Sequence, residues 1–160
     1  MLNFGVTRVD ITPPVGTKLA GYGKRTSPST GIHDPLYATV LYFLEDGGTQ
    51  ALLIILDIVA VDHEFTSELR RSIEVKMGIP KSAIMVCCTH THAGPEGYAS
   101  NLLRGVAAAE SSLRLPTVSK LTEAVNSMLP MIRPVSLQIG SAKVDCICTN
   151  RNDPNRAIIN

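Results

Sequence analysis

Between Gln50 and Thr89 the chain runs through an apolar stretch, a four-residue periodicity and a second apolar stretch, and that succession limits its fold more than any other feature. Gln50 to Ile58 reads as a buried strand. Asp62 can cap a helix from about His63 to Met77, in which Phe65, Leu69, Ile73 and Met77 recur every fourth residue and form one apolar stripe. Gly78 and then Pro80 supply the stop signal. Ala83 to Thr89 then reads as a further buried strand. Strand, helix, strand in that order is a βαβ unit, with parallel strands joined by a right-handed crossover. Asp57 and the segment after Thr89 then fall at the same carboxyl edge of the sheet, where open α/β sheets bind ligands. Neighbouring strands lie about 4.8 Å apart, so Asp57, His90 and His92 can face one small site.

The flanking segments extend this unit. Phe4 to Ile11 is strand-like and ends at Thr12-Pro13-Pro14. Tyr37 to Leu44 pairs with Gln50 to Ile58 as a hairpin through Glu45-Asp46-Gly47-Gly48-Thr49. Val15 to Pro35 is dense in breakers and reads as a long loop, of the kind that is either functional or disordered. A second helix is expected from Pro116 to Leu129, burying Val118, Leu121, Val125 and Met128, and a last strand from Val135 to Ile139. Asn101 to Ser111 reads as a helix or a lid. The expected fold is one α/β domain over residues 1–160, a mixed β-sheet with a βαβ unit and flanking helices.

Composition excludes several classes of function. A formal net charge of +1 over 160 residues gives no electrostatic reason to expect nucleic acid as a partner. The longest apolar run, Ala51 to Val61, is interrupted by Asp57 and falls short of the roughly 20 residues that span a bilayer. No basic segment followed by an apolar one opens the sequence, so a cytoplasmic location is expected. The four cysteines are Cys87, Cys88, Cys146 and Cys148, a pattern unlike a secreted disulfide framework. Reduced core thiols are the expectation.

The chemistry is expected where the last βαβ strand breaks into Cys87-Cys88-Thr89-His90-Thr91-His92-Ala93-Gly94-Pro95-Glu96-Gly97. On an extended backbone His90 and His92 point to one side, and imidazole is both a metal ligand and a general base near neutral pH. His90 reads as a metal ligand or as a strand-end hydrogen-bonding residue. His92 stands beside it for oxyanion or structural duty. Asp57 closes an apolar strand, so it either serves the metal site or caps a neighbouring segment. His33 belongs to a site or to a His-Asp-Pro turn, while His63 reads as solvated. Arg151 is a candidate for binding an oxyanion or a substrate polar group. A rival reading joins Cys88, His90 and His92 with Cys146 and Cys148 in a non-catalytic metal site.

Gly5-Val6-Thr7-Arg8-Val9-Asp10-Ile11-Thr12-Pro13-Pro14-Val15-Gly16, Gly21-Tyr22, Gly31-Ile32-His33-Asp34-Pro35-Leu36-Tyr37-Ala38 and Thr89-His90-Thr91-His92-Ala93-Gly94-Pro95 occur in an order that resembles the N-terminal part of neutral/alkaline non-lysosomal ceramidases. The resemblance ends near Asn150-Arg151-Asn152-Asp153-Pro154. It implies a Zn²⁺-dependent amidase that cleaves the N-acyl bond of ceramide or a similar lipid-like amide, within a larger catalytic domain. It implies that His90 is a zinc ligand, that His92 polarises the substrate or steadies the transition state, and that Arg151 reaches the active site. The family's other ligands, a histidine, a glutamate and a tyrosine, and its catalytic serine lie further along longer chains. An inactive fragment or remnant of the family is the alternative, and strand edges left open favour homo-oligomers or aggregation.

Overall fold

The computed structural model describes residues 1–99 and 111–143. Five strands form one sheet: β1 (Leu2–Asp10), β2 (Tyr37–Glu45), β3 (Gln50–Leu56), β4 (Ile84–Cys88) and β5 (Arg133–Val135), in the order β4-β3-β2-β1-β5. Two α-helices, α1 (His63–Met77) and α2 (Arg114–Met128), and three single-turn 3₁₀ helices complete the described elements. β2 and β3 form the expected antiparallel hairpin, with Val40 opposite Ile54. β3 and β4 are parallel neighbours joined through α1, with Ile54 opposite Val86. β1 pairs antiparallel with both β2 and β5. The fold class is therefore α/β with a mixed sheet.

The local signals act as their chemistry requires. Asp62 caps α1 by accepting a hydrogen bond from the Phe65 backbone N–H at 2.8 Å, and Gly78 closes the helix in the left-handed conformation. Phe65, Leu69 and Ile73 are fully buried, and the half-buried Met77 packs at the margin of the core. α2 begins at Arg114 rather than Pro116, because a proline in the first helical turn removes an N–H that has no intrahelical acceptor. Its expected inner face, Val118, Leu121, Val125 and Met128, is buried. These residues meet Ala38, Val40, Tyr42, Leu52, Ile54, Leu56 and Ile84 on one face of the sheet.

The strand expected from Val135 to Ile139 is a correction. β5 covers only Arg133–Val135, because its partner runs out: Val135 pairs with Leu2, the first residue of β1. Without a ladder to join, Leu137 and Ile139 are 65% and 92% exposed. The other face of the sheet is also apolar, with Val6, Leu41, Leu53 and Met85 aligned in one row across four strands. Val6 and Met85 on this row are exposed, while Leu41 and Leu53 are half-buried. The segment 101–110, Arg151, Cys146 and Cys148 lie outside the described residues.

Candidate functional site

Leu56 and Cys88 close the parallel pair β3 and β4 side by side, so the residues after them leave the sheet together at its carboxyl edge. The Thr89 N–H donates to the Leu56 carbonyl at 3.0 Å, and the His90 N–H donates to the Ile58 carbonyl at 3.1 Å. His90 has left extended backbone altogether, with φ at +61°, in the left-handed region that a non-glycine residue adopts at a cost of about 1–3 kcal/mol. A third bond offsets part of that cost: His90 Nδ1 lies 2.8 Å from the Val59 carbonyl oxygen. A carbonyl oxygen only accepts, so Nδ1 carries the proton. The exposed ring thus keeps the lone pair on Nε2, in the arrangement by which a backbone carbonyl orients a metal-ligating histidine.

His92 sits in the following turn, and its ring centroid lies 5.1 Å from that of His90, edge to face. The two imidazoles therefore converge as expected, but by another backbone route. Strand alternation ends at Cys88, and the left-handed step at His90 brings the rings together. Around His92 the long loop closes in. Tyr22 meets it edge-on with centroids 4.7 Å apart, and Arg25 Nη1 donates to the His92 carbonyl at 2.7 Å. His92 Nδ1 is fully enclosed and has no hydrogen-bond partner, alone in this respect among the described residues. The turn beyond is pinned by bonds from Ala20 N–H to the Gly94 carbonyl and from Glu96 N–H to the Lys18 carbonyl, at 2.9 and 3.0 Å. Gly94 must be small, since a Cβ there would stand 3.1 Å from the Asp57 carbonyl oxygen.

Asp57 lies at the same sheet edge, as the strand order requires, but its carboxylate accepts the Tyr37 N–H at 3.0 Å while its own N–H donates back to the Tyr37 carbonyl. It braces the start of β2. His33 is 97% exposed at its side chain and pairs with Asp34 at 2.6 Å. It lines a cleft of about 410 Å³ with Leu19, Ile32, Leu36, Thr91 and Ala93, beside the histidine segment. That volume is within the usual range for ligand pockets. Burial, and then the neighbouring Cys87, push the Cys88 thiol up to about 11, so at neutral pH it is a protonated, half-buried thiol. No three or more His, Cys, Asp or Glu side chains converge on a metal position among the described residues, so His90 and His92 acquire no third donor from Asp57, His33 or Cys88.

Three residues that sequence reasoning did not place in the site now belong to its walls: Tyr22, Arg25 and Gly21. Gly21-Tyr22 carried a signal as a motif, whereas Arg25 had none. Its partners are main-chain carbonyls, Ala20 at 3.2 Å and His92 at 2.7 Å, and these leave no trace in side-chain patterning. Val59, whose carbonyl fixes the His90 ring, is invisible for the same reason.

The mixed sheet that delivers these paired imidazoles from its carboxyl edge is a fold shared with known proteins. The N-terminal family of neutral/alkaline non-lysosomal ceramidases matches residues 2–155, and the chain belongs to that family. A neutral ceramidase of Mycobacterium tuberculosis (strain ATCC 25618 / H37Rv) is 32% identical over 109 residues, covering 64% of this chain and 17% of the relative. The crystal structure of the neutral ceramidase of Pseudomonas aeruginosa superposes with a TM-score of 0.73 at 20% identity, over 83% of this chain and 22% of that one. A structure described as a ceramidase complexed with C2 gives the same TM-score at 19% identity, with the same coverage of both chains. The chain thus spans about a fifth of the length of the relatives it matches.

Proposed function

We propose that this chain supplies part of the active site of a zinc-dependent amidohydrolase acting on N-acyl amides of the ceramide type. Water adds across the C–N bond, releasing a fatty acid and an amine. The observation that carries the reading is the His90 ring, whose Nδ1 bond to Val59 leaves Nε2 as a ligand atom 5.1 Å, ring to ring, from a second imidazole. Zinc, when bound, supplies Lewis acidity toward the amide carbonyl and toward water.

The chain's own residues do the rest. His90 offers Nε2 to the metal, held in place by its carbonyl partner. His92, with Nδ1 enclosed, meets substrate through Nε2 and donates to the oxygen on which charge develops. Leu19, Ile32 and Leu36 in the adjoining cleft offer an apolar wall to an acyl or sphingoid chain. Arg151 is a further candidate for the oxyanion, and the remaining zinc donors come from outside the described residues. No described helix is long and apolar enough to cross a membrane.

The test is hydrolysis of short- and long-chain N-acyl sphingosines by the zinc-loaded protein, with fatty acid and amine quantified together. Equimolar products, abolished by a chelator and restored by zinc, support the reading. Loss of one oxyanion donor costs about 10²–10³ in kcat, so His92→Ala should fall by that factor. Hydrolysis that survives both chelation and His92→Ala would overturn it.

A further inference from the structure

We infer that Gly21, Tyr22 and Arg25 form a clasp that positions the His92 imidazole and decides which of its nitrogens carries the proton. The use of the ring rests on the amidase reading above; the clasp rests on geometry alone. His92 lies in a turn beyond the last ladder bond of β4, so the sheet does not hold it. Its Nδ1 makes no hydrogen bond that would fix the ring, in contrast to His90. Something else must hold it.

Three contacts from the loop do so. Gly21 takes φ of +101°, and a Cβ on it would stand 2.4 Å from His92 Cγ and 2.7 Å from Nδ1. The glycine is therefore the floor against which the ring lies, on the side of the enclosed Nδ1. Tyr22 fixes the ring's rotation by an edge-to-face contact at 4.7 Å with the planes 73° apart. Arg25 joins the pieces: one guanidinium nitrogen donates to the carbonyls of Ala20 and His92, and its Cζ lies 4.8 Å from the Tyr22 ring centroid. One cation thus ties the loop to the His92 backbone and backs the tyrosine that backs the imidazole.

The enclosed nitrogen sets the tautomer. A proton on Nδ1 would be a buried donor without an acceptor, the less tolerable of the two ways to bury an unpaired polar atom. The clasp therefore favours the proton on Nε2, which makes His92 a donor toward substrate. His90 is fixed in the opposite tautomer by Val59. Two histidines two residues apart are thus sorted into a ligand and a donor by what covers their Nδ1 atoms.

The experiment is long-range ¹H–¹⁵N spectroscopy of the ¹⁵N-histidine-labelled full chain at one fixed neutral pH. The chain has four histidines, and His92→Gln identifies the His92 signals. The expected result is an Nε2–H pattern for His92 and an Nδ1–H pattern for His90. Tyr22→Leu and Arg25→Ala should turn the His92 pattern into an averaged one and leave His33 and His63 unmoved, while Arg25→Lys restores it in part. Gly21→Ala displaces the ring most; because that variant risks misfolding, the other two carry the test. In hydrolysis assays, kcat should fall about tenfold or more in Tyr22→Leu with a smaller change in KM.

An unchanged His92 pattern in both Tyr22→Leu and Arg25→Ala would overturn the clasp, whatever the activity. An Nδ1–H pattern for His92 in the parent would overturn it as well. Ring signals that respond as expected in a protein that hydrolyses no amide would sink the amidase reading and leave the clasp standing.

Discussion

Asp57 separates what a residue type suggests from what its neighbours make of it. A carboxylate closing an apolar strand beside two histidines reads as a metal-site residue, and the structure instead engages it with the Tyr37 N–H. Asp57→Asn keeps an acceptor oxygen and should leave both stability and zinc content near those of the parent. Asp57→Ala strands a part-buried N–H and should cost about 1–3 kcal/mol in urea unfolding, again with zinc retained. Loss of zinc in Asp57→Asn would place the carboxylate on the metal after all. Gly94 is a second residue-scale constraint, since a methyl group would press on the backbone of Asp57 and Ile58 at 3.1 and 3.2 Å. Gly94→Ala should destabilise by about 1–3 kcal/mol, measured the same way. The two histidines were legible because a buried strand that breaks into Thr-His-Thr-His has few structural explanations. The groups that orient them were not, because Val59 acts through its carbonyl and Arg25 through carbonyl acceptors.

At the scale of elements, periodicity and capping chemistry placed α1, and β-hairpin signals placed β2 and β3, because those elements are specified by residues close in sequence. The ends defined by distant partners were less legible: β5 stops where β1 runs out, and the half-buried Arg114 closes an ion pair on the buried Asp62 at 2.8 Å across 52 residues. Asp62 thus serves as both helix cap and salt-bridge partner, and only the first role shows in local sequence. Breaking such a pair by removing one partner costs about 3–5 kcal/mol, so Arg114→Ala should lower the urea midpoint far more than a surface arginine such as Arg71→Ala. Acid should act through the helices as well. Bonds from Lys81 hold the Glu74 carboxyl below its ordinary value, and bonds from Lys76 and Asn126 do the same for Glu123. The unfolded chain then takes up protons first as pH falls, so this stabilisation is full above the ordinary glutamate range and lost below it. Glu74→Gln should flatten the stability-versus-pH curve below about pH 4.5, where unprotected glutamates titrate. An unchanged acid slope in that variant would contradict the role given to the Glu74–Lys81 contact.

Across the whole molecule, the sheet separates two tasks. One face is sealed by α1 and α2, and the carboxyl edge above it presents the imidazoles. The opposite face keeps an apolar row in which Val6 and Met85 are 55% and 60% exposed. A patch of this kind binds hydrophobic dye in the native state, and Val6→Lys with Met85→Lys should reduce that fluorescence without lowering the unfolding midpoint. Dye binding that is absent or unchanged by both lysines would contradict the exposure of this face. The α/β class and the βαβ unit were readable because strand order and crossover rules leave few topologies. A full set of metal donors was not legible, because such a site is assembled from residues distant in sequence, and His90 is the one ligand candidate that the local pattern offers. The central claim is that His90 holds zinc through Nε2, and zinc stoichiometry of the purified protein beside His90→Ala tests it most directly. The account predicts about one zinc per chain in the parent and none in the variant. Zinc absent from the parent, or retained undiminished in His90→Ala, would contradict it.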